Sequence, residues 1–283
     1  MGKFRFGVNL WFVEGPSQWA AKCHRAEELG YDVLSVPDHL GRLAPFPALV
    51  TAAAVTERTR VGTLVLDTPF YNPALLARDV ETTIQITGGR FELGLGAGIV
   101  KAEFDDAGLP WRPAGERIAY PESTVTELRR RLGDLPRLLI AGNSDGVLEL
   151  AARQADIVGY AGLKHVSGKP PGTFALASPD ELGDRVSFVR KHAGGRELEH
   201  NMLIQHVVVA ENPRPELENW AADLPVPHRT EELLAAPQIL AGTVDEIAER
   251  LHEHRDRFGF GYITVFEPFL ETFAPVISAL RGE

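Results

Sequence analysis

The sequence predicts an α/β protein built as a (β/α)₈ TIM barrel, in which eight parallel strands form a closed inner sheet surrounded by helices. Short apolar runs rich in β-branched residues alternate with longer segments of helical period, as expected for parallel strands buried on both faces. The length of 283 residues also suits one barrel, since such barrels commonly have about 250 residues. We therefore expect residues 1–283 to form a single domain. A doubly wound open sheet has the same local pattern and remains the alternative fold.

The first βα unit shows the pattern most clearly. An apolar run at residues 4–10 is followed by a turn at Gly15 and Pro16, after which Ser17 is a natural N-cap. Apolar residues then recur at helical spacing until Gly30, which predicts the end of the helix.

The same alternation continues to the end of the chain. The further strands are predicted at residues 32–36, 60–66, 91–96, 137–141, 156–160, 202–209 and 262–266. The further helices are predicted at residues 46–58, 73–87, from after 113 to 131, 147–154, 181–191, 244–257 and 270–280. The segments 98–113, 162–179 and 212–237 are interpreted as irregular structure, the last two because they are rich in Gly and Pro. Eight strands with helices between them leave no edge strand once the barrel closes.

Composition and charge narrow the class of function. The formal net charge of −10 argues against nucleic acid or an anionic membrane as a partner. No apolar run approaches the roughly 18 residues of a membrane span. The single cysteine and the absence of a signal-peptide pattern predict a cytoplasmic protein. The nine histidines show no metal-binding spacing, so we expect no metal.

Polar residues follow the first two predicted strands, where barrel enzymes carry their chemistry. Asp38 and His39 follow strand two, and Trp11 and Glu14 follow strand one. The imidazole of His39 can donate a proton near neutral pH, and the carboxylate of Asp38 can fix its tautomer. The alternative is a helix N-terminal turn with a solvated histidine.

A glycine-rich segment follows strand four. Gly94, Gly96 and Gly98 have the spacing G-x-G-x-G, which differs from the dinucleotide fingerprint G-x-G-x-x-G. Glycines here, with Ala97 between them, would let a planar ligand approach the backbone closely. The alternative is a tight turn without a ligand.

The segment after strand five has three interpretations. Gly142, Asn143 and Ser144 precede a predicted helix, whose free N–H groups can bind a phosphate. Asn143 and Ser144 can instead cap that helix without a ligand. The literal G-x-S-x-G match also raises a hydrolase with Ser144 as nucleophile, with Asp156 and His206 as candidate partners.

Taken together, the segments VLSVPDHLG, RVGTLVLDTPFYNPALLARD, GGRFELGLGAG, LLIAGNSDGVLELAARQADIVGY and AGTVDEIAERL resemble the luciferase-like oxidoreductases, especially their F420-dependent branch. The resemblance spans nearly the whole chain. It implies a barrel that binds the deazaflavin cofactor F420, or alternatively FMN, in its mouth. The cofactor ring would lie against a bulge in strand three, at Leu64, Val65 and Leu66, with a cis peptide bond between Leu64 and Val65.

The resemblance also implies roles for the strand-end residues. Asp38 and His39 would flank the deazaflavin, Gly96, Ala97 and Gly98 would lie beside its side chain, and Gly142, Asn143 and Ser144 would bind its phosphate. Arg117 resembles a structural residue of the family. Because F420 has an acidic tail, cations near the mouth are candidates for binding it, and by position these are Lys101, Arg112 and Lys164.

The predicted function is hydride transfer between C5 of F420 and an electron-poor C=C or C=N bond of a small or peptide-borne substrate. His39 is the predicted proton donor, and Asp38 either orients it or contacts the cofactor ring. Trp11 and Glu14 are the residues predicted to shape the substrate side. The alternatives are an FMN-dependent monooxygenase, the Ser144 hydrolase, and a barrel that binds cofactor without catalysis.

The sequence departs from the family in one segment. Relatives usually carry a long insertion between the helix after strand four and strand five, whereas here residues 128–131 lead through Gly133 and Asp134 almost directly into Leu138. In the family that segment often forms a wall of the substrate pocket, so its shortness predicts a more open mouth. A homodimer is also an expectation of the resemblance, although no apolar stripe identifies an interface.

Overall fold

The computed structural model describes residues 3–169 and 172–282. The ends of the expected 1–283 domain and two residues of the expected loop 162–179 therefore lie outside the described residues. The strands are β1 Arg5–Asn9, β2 Val33–Val36, β3 Arg60–Thr63, β4 Leu66–Asp67, β5 Phe91–Gly96, β6 Arg137–Ala141, β7 Ile157–Tyr160, β8 Leu163–His165, β9 Phe174–Leu176, β10 Glu199–Leu203, β11 His206–Val209, β12 Ile239–Gly242 and β13 Phe260–Phe266.

Helices follow most of these strands. They are α1 Pro16–Glu28, α2 Pro45–Val55, α3 Pro73–Ile86, α4 Lys101–Asp106, α5 Ala114–Leu132, α6 Asp145–Gln154, α7 Pro179–His192, α8 Arg214–Ala222, α9 Thr230–Ala235, α10 Val244–Phe258 and α11 Ala274–Gly282. In the part of the chain that the structure describes, none of these helices is long and apolar enough to cross a membrane.

The inner sheet is a closed, all-parallel barrel, which confirms the predicted (β/α)₈ fold. Its strand order is β3-β2-β1-β13-β10-β7-β6-β5, and pairing of β3 and β4 with β5 closes the ring. Fully buried apolar side chains from strands and helices form one large core, among them Phe6, Leu34, Leu49, Phe91 and Phe273. The open doubly wound alternative is wrong because the two end strands pair with each other.

Helix α1 has the predicted buried face but not the predicted cap. Trp19, Cys23 and Ala26 are buried as their spacing indicated. The helix begins at Pro16 with Gly15 at the N-cap position, so the prediction of Ser17 as N-cap was wrong. Proline suits the first helical position because its missing N–H has no partner to lose there.

The third barrel strand is interrupted as the resemblance implied. β3 ends at Thr63, β4 begins at Leu66, and the peptide bond between Leu64 and Val65 is cis. The interruption lies against Gly94 of β5, where a Cβ atom would be 2.0 Å from the Thr63 carbonyl oxygen. Glycine is therefore required for β5 to pass this close to the bulge.

The predicted seventh strand, residues 202–209, is two strands. Its first part is the barrel strand β10, whereas β11 leaves the barrel and pairs in parallel with β12. The prediction was wrong because both valines of β11 are buried, Val207 in the main core and Val208 in a smaller one, and so have the same apolar signature as barrel residues.

The three segments expected to be irregular contain regular elements. Residues 98–113 include α4, 162–179 include the antiparallel hairpin β8–β9, and 212–237 include α8 and α9. Helices α8 and α9 pack on β11 and β12 around a separate small core that includes Val208, Leu217, Leu233 and Ile239. The β8–β9 hairpin lies on the C-terminal side of the barrel, directly after β7.

The short connection between α5 and β6 is present, but it has a different consequence from the one expected. It comprises residues 133–136 and enters β6 at the N-terminal ends of the strands, near Leu135, Arg137, Asp156 and Glu199. A helix-to-strand connection in such a barrel lies opposite the active face. Its shortness therefore cannot open the mouth, and that inference was wrong.

Candidate active site

A cavity of about 840 Å³ opens at the C-terminal ends of the barrel strands. Loops after β2, β5, β6 and β7 line it, together with the interrupted third strand and the β8–β9 hairpin. The structure brings all eleven predicted cofactor residues to this cavity: Asp38, His39, Leu64, Val65, Leu66, Gly96, Ala97, Gly98, Gly142, Asn143 and Ser144. Their roles in binding stay predictions.

The side chain of His39 is bound by a carboxylate that the sequence did not indicate. Its Nδ1 atom lies 3.0 and 3.1 Å from the two carboxylate oxygens of Glu103, on the short helix α4. A proton on Nδ1 satisfies this contact and leaves Nε2 to interact with a ligand. Glu103, rather than Asp38, therefore fixes the orientation of the His39 ring, and the predicted orienting role of Asp38 was wrong.

Asp38 instead holds the end of the interrupted third strand. Its Oδ2 atom accepts a hydrogen bond of 3.0 Å from the backbone N–H of Asp67, and the Tyr71 hydroxyl is a second donor. Burial raises the pKa of Asp38, although these two hydrogen bonds and His39 act in the opposite direction. The carboxyl group of Asp38, at the cavity wall, is thus hydrogen-bonded to the end of the interrupted third strand.

Asp67 is a buried acid that the sequence analysis did not single out. Its side chain lines the cavity, and its Oδ1 atom has no hydrogen-bond partner among the described residues. Burial raises the pKa of Asp67 to about 8, with further contributions from Asp38 and Glu103 and an opposing one from Arg117. Near neutral pH this wall therefore retains a proton that a bound group can share. The signal in the sequence was an aspartate within the apolar segment GTLVLDTPF.

The glycines after β5 allow close packing at this wall. Gly98 has a φ of +73°, and a Cβ atom there would lie 2.4 Å from Asp67 Oδ1 and 2.6 Å from the ring of Phe104. A Cβ atom at Gly96 would lie 2.7 Å from a methyl group of Val65. Any side chain at either position would displace the wall next to the cis peptide.

The N-terminus of α6 faces the cavity without a side-chain cap. Ser144 occupies the N-cap position, but its side chain makes no capping hydrogen bond, so capping by Ser144 was wrong. The first N–H groups of the helix and its dipole are therefore available to an anion. The approach is close because a Cβ atom at Gly142 would lie 2.6 Å from Val147.

The structure does not support Ser144 as a nucleophile. Asp156 accepts a hydrogen bond from the backbone N–H of Leu138 at the opposite end of the barrel. His206 stacks on Trp220 in the small second sheet. Neither proposed partner reaches Ser144, so the hydrolase hypothesis lacks its base and its orienting acid.

Cations at the cavity differ from those expected by position. Of Lys101, Arg112 and Lys164, only the last lines the cavity. The Nζ atom of Lys164 lies 2.7 Å from Oε1 of Glu181, with which it forms an ion pair. Arg117 also lines the cavity, donates to the Gly98 carbonyl and lies 3.8 Å from the centre of the Trp111 ring. The prediction that Arg117 is purely structural is therefore incomplete.

The two predicted substrate residues lie outside the cavity wall. The Trp11 ring is centred 6.1 Å from the His39 ring, so it forms the outer flank of the candidate proton donor. Glu14 is exposed and does not line the cavity. Only Trp11 is thus placed beside the proposed chemistry.

The cavity lies at the C-terminal ends of the barrel strands, where barrel enzymes carry their active sites. The family model for luciferase-like monooxygenases matches residues 15–132 of this chain. A 4-hydroxyprotoasukamycin monooxygenase from Streptomyces nodosus subsp. asukaensis is 27% identical, with 92% of this chain and 81% of that protein covered.

Two further comparisons concern F420-dependent proteins. An F420-dependent glucose-6-phosphate dehydrogenase from Kribbella flavida is 39% identical over 41% of this chain and 37% of that protein. The alignment thus spans well under half of that relative. A solved F420-dependent secondary alcohol dehydrogenase, in complex with an F420-acetone adduct, superposes with a TM-score of 0.75 at 18% identity, covering 99% of this chain and 100% of that chain. This likeness shows that the two chains share a fold.

Proposed function

We propose that the protein is an F420-dependent oxidoreductase that transfers hydride between F420 and an electron-poor C=C or C=N bond of a small or peptide-borne substrate. The observation that carries the proposal is one cavity that joins the interrupted third strand at Leu64 and Val65, the His39–Glu103 pair and the uncapped N-terminus of α6. The F420-dependent relatives support the same reading.

The residues present fit such a cofactor. Leu64, Val65 and Leu66 form an apolar wall for a planar ring, and the unpartnered Oδ1 atom of Asp67 offers a polar contact beside it. The free N–H groups at the start of α6 suit a phosphate. When bound, F420 would supply the hydride donor or acceptor at its C5 atom.

The protein's own part is proton delivery and exclusion of water. Glu103 holds Nδ1 of His39, so Nε2 is the atom that would pass a proton to or from the substrate. The Trp11 ring is centred 6.1 Å from the His39 ring and shields one flank of that ring. Leu163 and Phe174 of the β8–β9 hairpin line the same cavity as His39, so that apolar groups rather than water would contact a bound ligand there.

The decisive experiment is a fluorescence titration of the purified chain with F420 and, separately, with FMN. We expect saturable binding of F420 and weaker binding of FMN. The same titrations are made on Ser144→Ala, which changes the residue at the start of α6. Ser123→Ala, on the exposed face of α5, is its matched control. Binding of FMN without binding of F420 would overturn the cofactor assignment.

An FMN-dependent monooxygenase is the second candidate, favoured by the family model and by the relative named 4-hydroxyprotoasukamycin monooxygenase. Oxygen consumption with reduced FMN, and none with F420, would establish it.

A cytoplasmic location and a homodimer are further parts of the proposal. Analytical ultracentrifugation of the purified chain tests the dimer.

A further inference from the structure

Arg42 lies close to His39 in the loop after β2 and is not part of the cavity lining. Its backbone N–H donates to the His39 carbonyl oxygen at 3.1 Å, so a tight turn fixes the spacing of the two residues. Its guanidinium carbon lies 5.0 Å from the centre of the Trp11 ring and 4.7 Å from that of Phe12. The Arg42 side chain is therefore held across two aromatic rings that flank the candidate proton donor.

The two rings are themselves fixed in place. Glu267 Oε2 accepts hydrogen bonds from the backbone N–H groups of Trp11, at 2.6 Å, and Phe12, at 3.2 Å. Lys22 pairs with the same carboxylate and also donates to the Phe12 carbonyl oxygen. The segment after β1 is thus anchored to the end of β13, so the rings form a prebuilt surface.

This surface is apolar and exposed. Six large apolar side chains are exposed among the described residues, and four of them lie in loops after barrel strands at the active face: Phe12, Val13, Leu40 and Ile99. Phe12 is 48% exposed and Leu40 is 43% exposed. Apolar area concentrated at the mouth of a site favours a ligand with an apolar body. We call the surface formed by Trp11, Phe12, Leu40 and Arg42 the Arg42 shelf.

The charge of Arg42 indicates that the ligand also carries an anionic group. Arg42 is exposed and makes no ion pair with any residue in the described ranges. Because its guanidinium contacts the rings and makes no hydrogen bond to another described residue, its N–H donors stay available to a carboxylate or phosphate. Next to His39, the cavity wall carries the carboxyl groups of Asp38 and Glu103. The anionic group of a substrate is therefore disfavoured beside these two carboxyl groups and favoured at Arg42.

We propose that the Arg42 shelf binds the substrate as an organic anion with a planar apolar body, which stacks beside Trp11 and Phe12 and pairs its anionic group with Arg42. The inference rests on the proposed function, because it identifies the substrate class of the same site. It orients the apolar body toward His39 and places the charge at the outer rim.

The test compares two probes on the purified full chain by isothermal titration calorimetry: naphthalene carboxylate and its neutral carboxamide. We expect the carboxylate to bind about fivefold more tightly, as for a partly exposed charge pair, with the difference reduced by added salt. Arg42→Gln should abolish this preference, and Phe12→Ser should weaken both probes. Arg58→Gln, an exposed arginine at the N-terminal end of β3, is the matched control and should keep the preference.

The outcomes separate this inference from the proposed function. Equal affinity for both probes, no binding of either, or a preference that persists in Arg42→Gln would overturn the shelf, whatever the F420 titration shows. Preferential binding of the carboxylate, lost only in Arg42→Gln, would support the shelf even if F420 fails to bind. A change in sedimentation of Phe12→Ser without probe binding would instead identify the surface as a contact between copies of the chain and would also overturn the proposal.

Discussion

The Nδ1 atom of His39 lies 3.0 Å from Oε1 of Glu103, although the two residues are 64 positions apart in the chain. His39 follows β2 and Glu103 lies on α4, which comes after β5. The contact joins the segments that follow β2 and β5, on either side of the interrupted third strand, and leaves the other ring nitrogen of His39 available to a ligand. It is the structural basis for the proposed proton transfer.

Removing the charge of Glu103 should impair that transfer without unfolding the protein. We expect Glu103→Gln to lower F420-linked turnover by on the order of tenfold and to change its pH profile, because Gln still accepts a hydrogen bond but does not stabilise a protonated imidazole. The melting temperature and the affinity for F420 should stay near the wild-type values. Glu211→Gln, on the surface, is the control. An unchanged pH profile in Glu103→Gln would remove the positioning role.

Much of the barrel could be predicted because each strand carries its own signal. Fully buried parallel strands are continuous apolar runs, and the glycines and polar residues that follow them indicate the C-terminal ends. The cavity's cofactor side follows from the same local information, since residues at those ends converge in a closed barrel. Leu64 and Val65 were assigned by resemblance, and the structure confirms the cis bond between them.

The elements that were missed depend on long-range contacts. Glu103 lies in a six-residue helix within a segment without clear periodicity, and its partner is distant in sequence. β11 has the apolar pattern of a barrel strand, but its pairing with β12 is decided by residues about thirty positions further on. The apolar pattern predicts that Val208 is buried, but it does not predict that the small second core buries it.

Asp67 should make the stability of the protein depend on pH. Burial and its acidic neighbours raise the pKa of Asp67 from 3.8 to about 8, so the folded state holds a proton that the unfolded state releases. Stability is then greatest below about pH 4 for this group and falls as the pH rises toward 8, by at most about 1.4 kcal/mol per pH unit. We expect Asp67→Asn to raise the melting temperature relative to wild type, and the gain to grow between pH 5 and pH 8.

The control for this experiment is Asp106→Asn, which removes an exposed carboxylate on α4 near the same loop. Its effect on the melting temperature should be small and independent of pH over that range. A constant difference between Asp67→Asn and wild type across the range would show that Asp67 is ionised in the folded protein.

The N-termini of α6 and α10 should respond differently to loss of their N-cap side chains. Thr243 accepts a hydrogen bond from the N–H of Glu246 in a complete capping box, so Thr243→Ala should cost about 1 kcal/mol of unfolding free energy. Ser144 makes no capping hydrogen bond, so Ser144→Ala should cost less than about 0.5 kcal/mol. Denaturant unfolding measures both. A loss at Ser144 as large as that at Thr243 would mean that Ser144 caps α6 in solution.

Substitution of Gly98 should disturb the site more than substitution of a glycine with the same backbone conformation elsewhere. Gly98 and Gly108 have φ values of +73° and +67°, so alanine at either position carries the cost of a left-handed backbone, about 1 kcal/mol. A Cβ atom at Gly108 meets no atom within 4 Å, whereas at Gly98 it would lie 2.4 Å from Asp67 Oδ1. The clash must be relieved by moving the wall that carries the cis peptide.

We therefore expect Gly98→Ala to lower the unfolding free energy by about 3 kcal/mol and Gly108→Ala by about 1 kcal/mol. F420 affinity, measured by fluorescence titration, should fall in Gly98→Ala and stay unchanged in Gly108→Ala, because only the former displaces Asp67. Equal losses of stability in the two variants would show that Asp67 moves away at little cost. Unchanged F420 affinity in Gly98→Ala would separate this wall from cofactor binding.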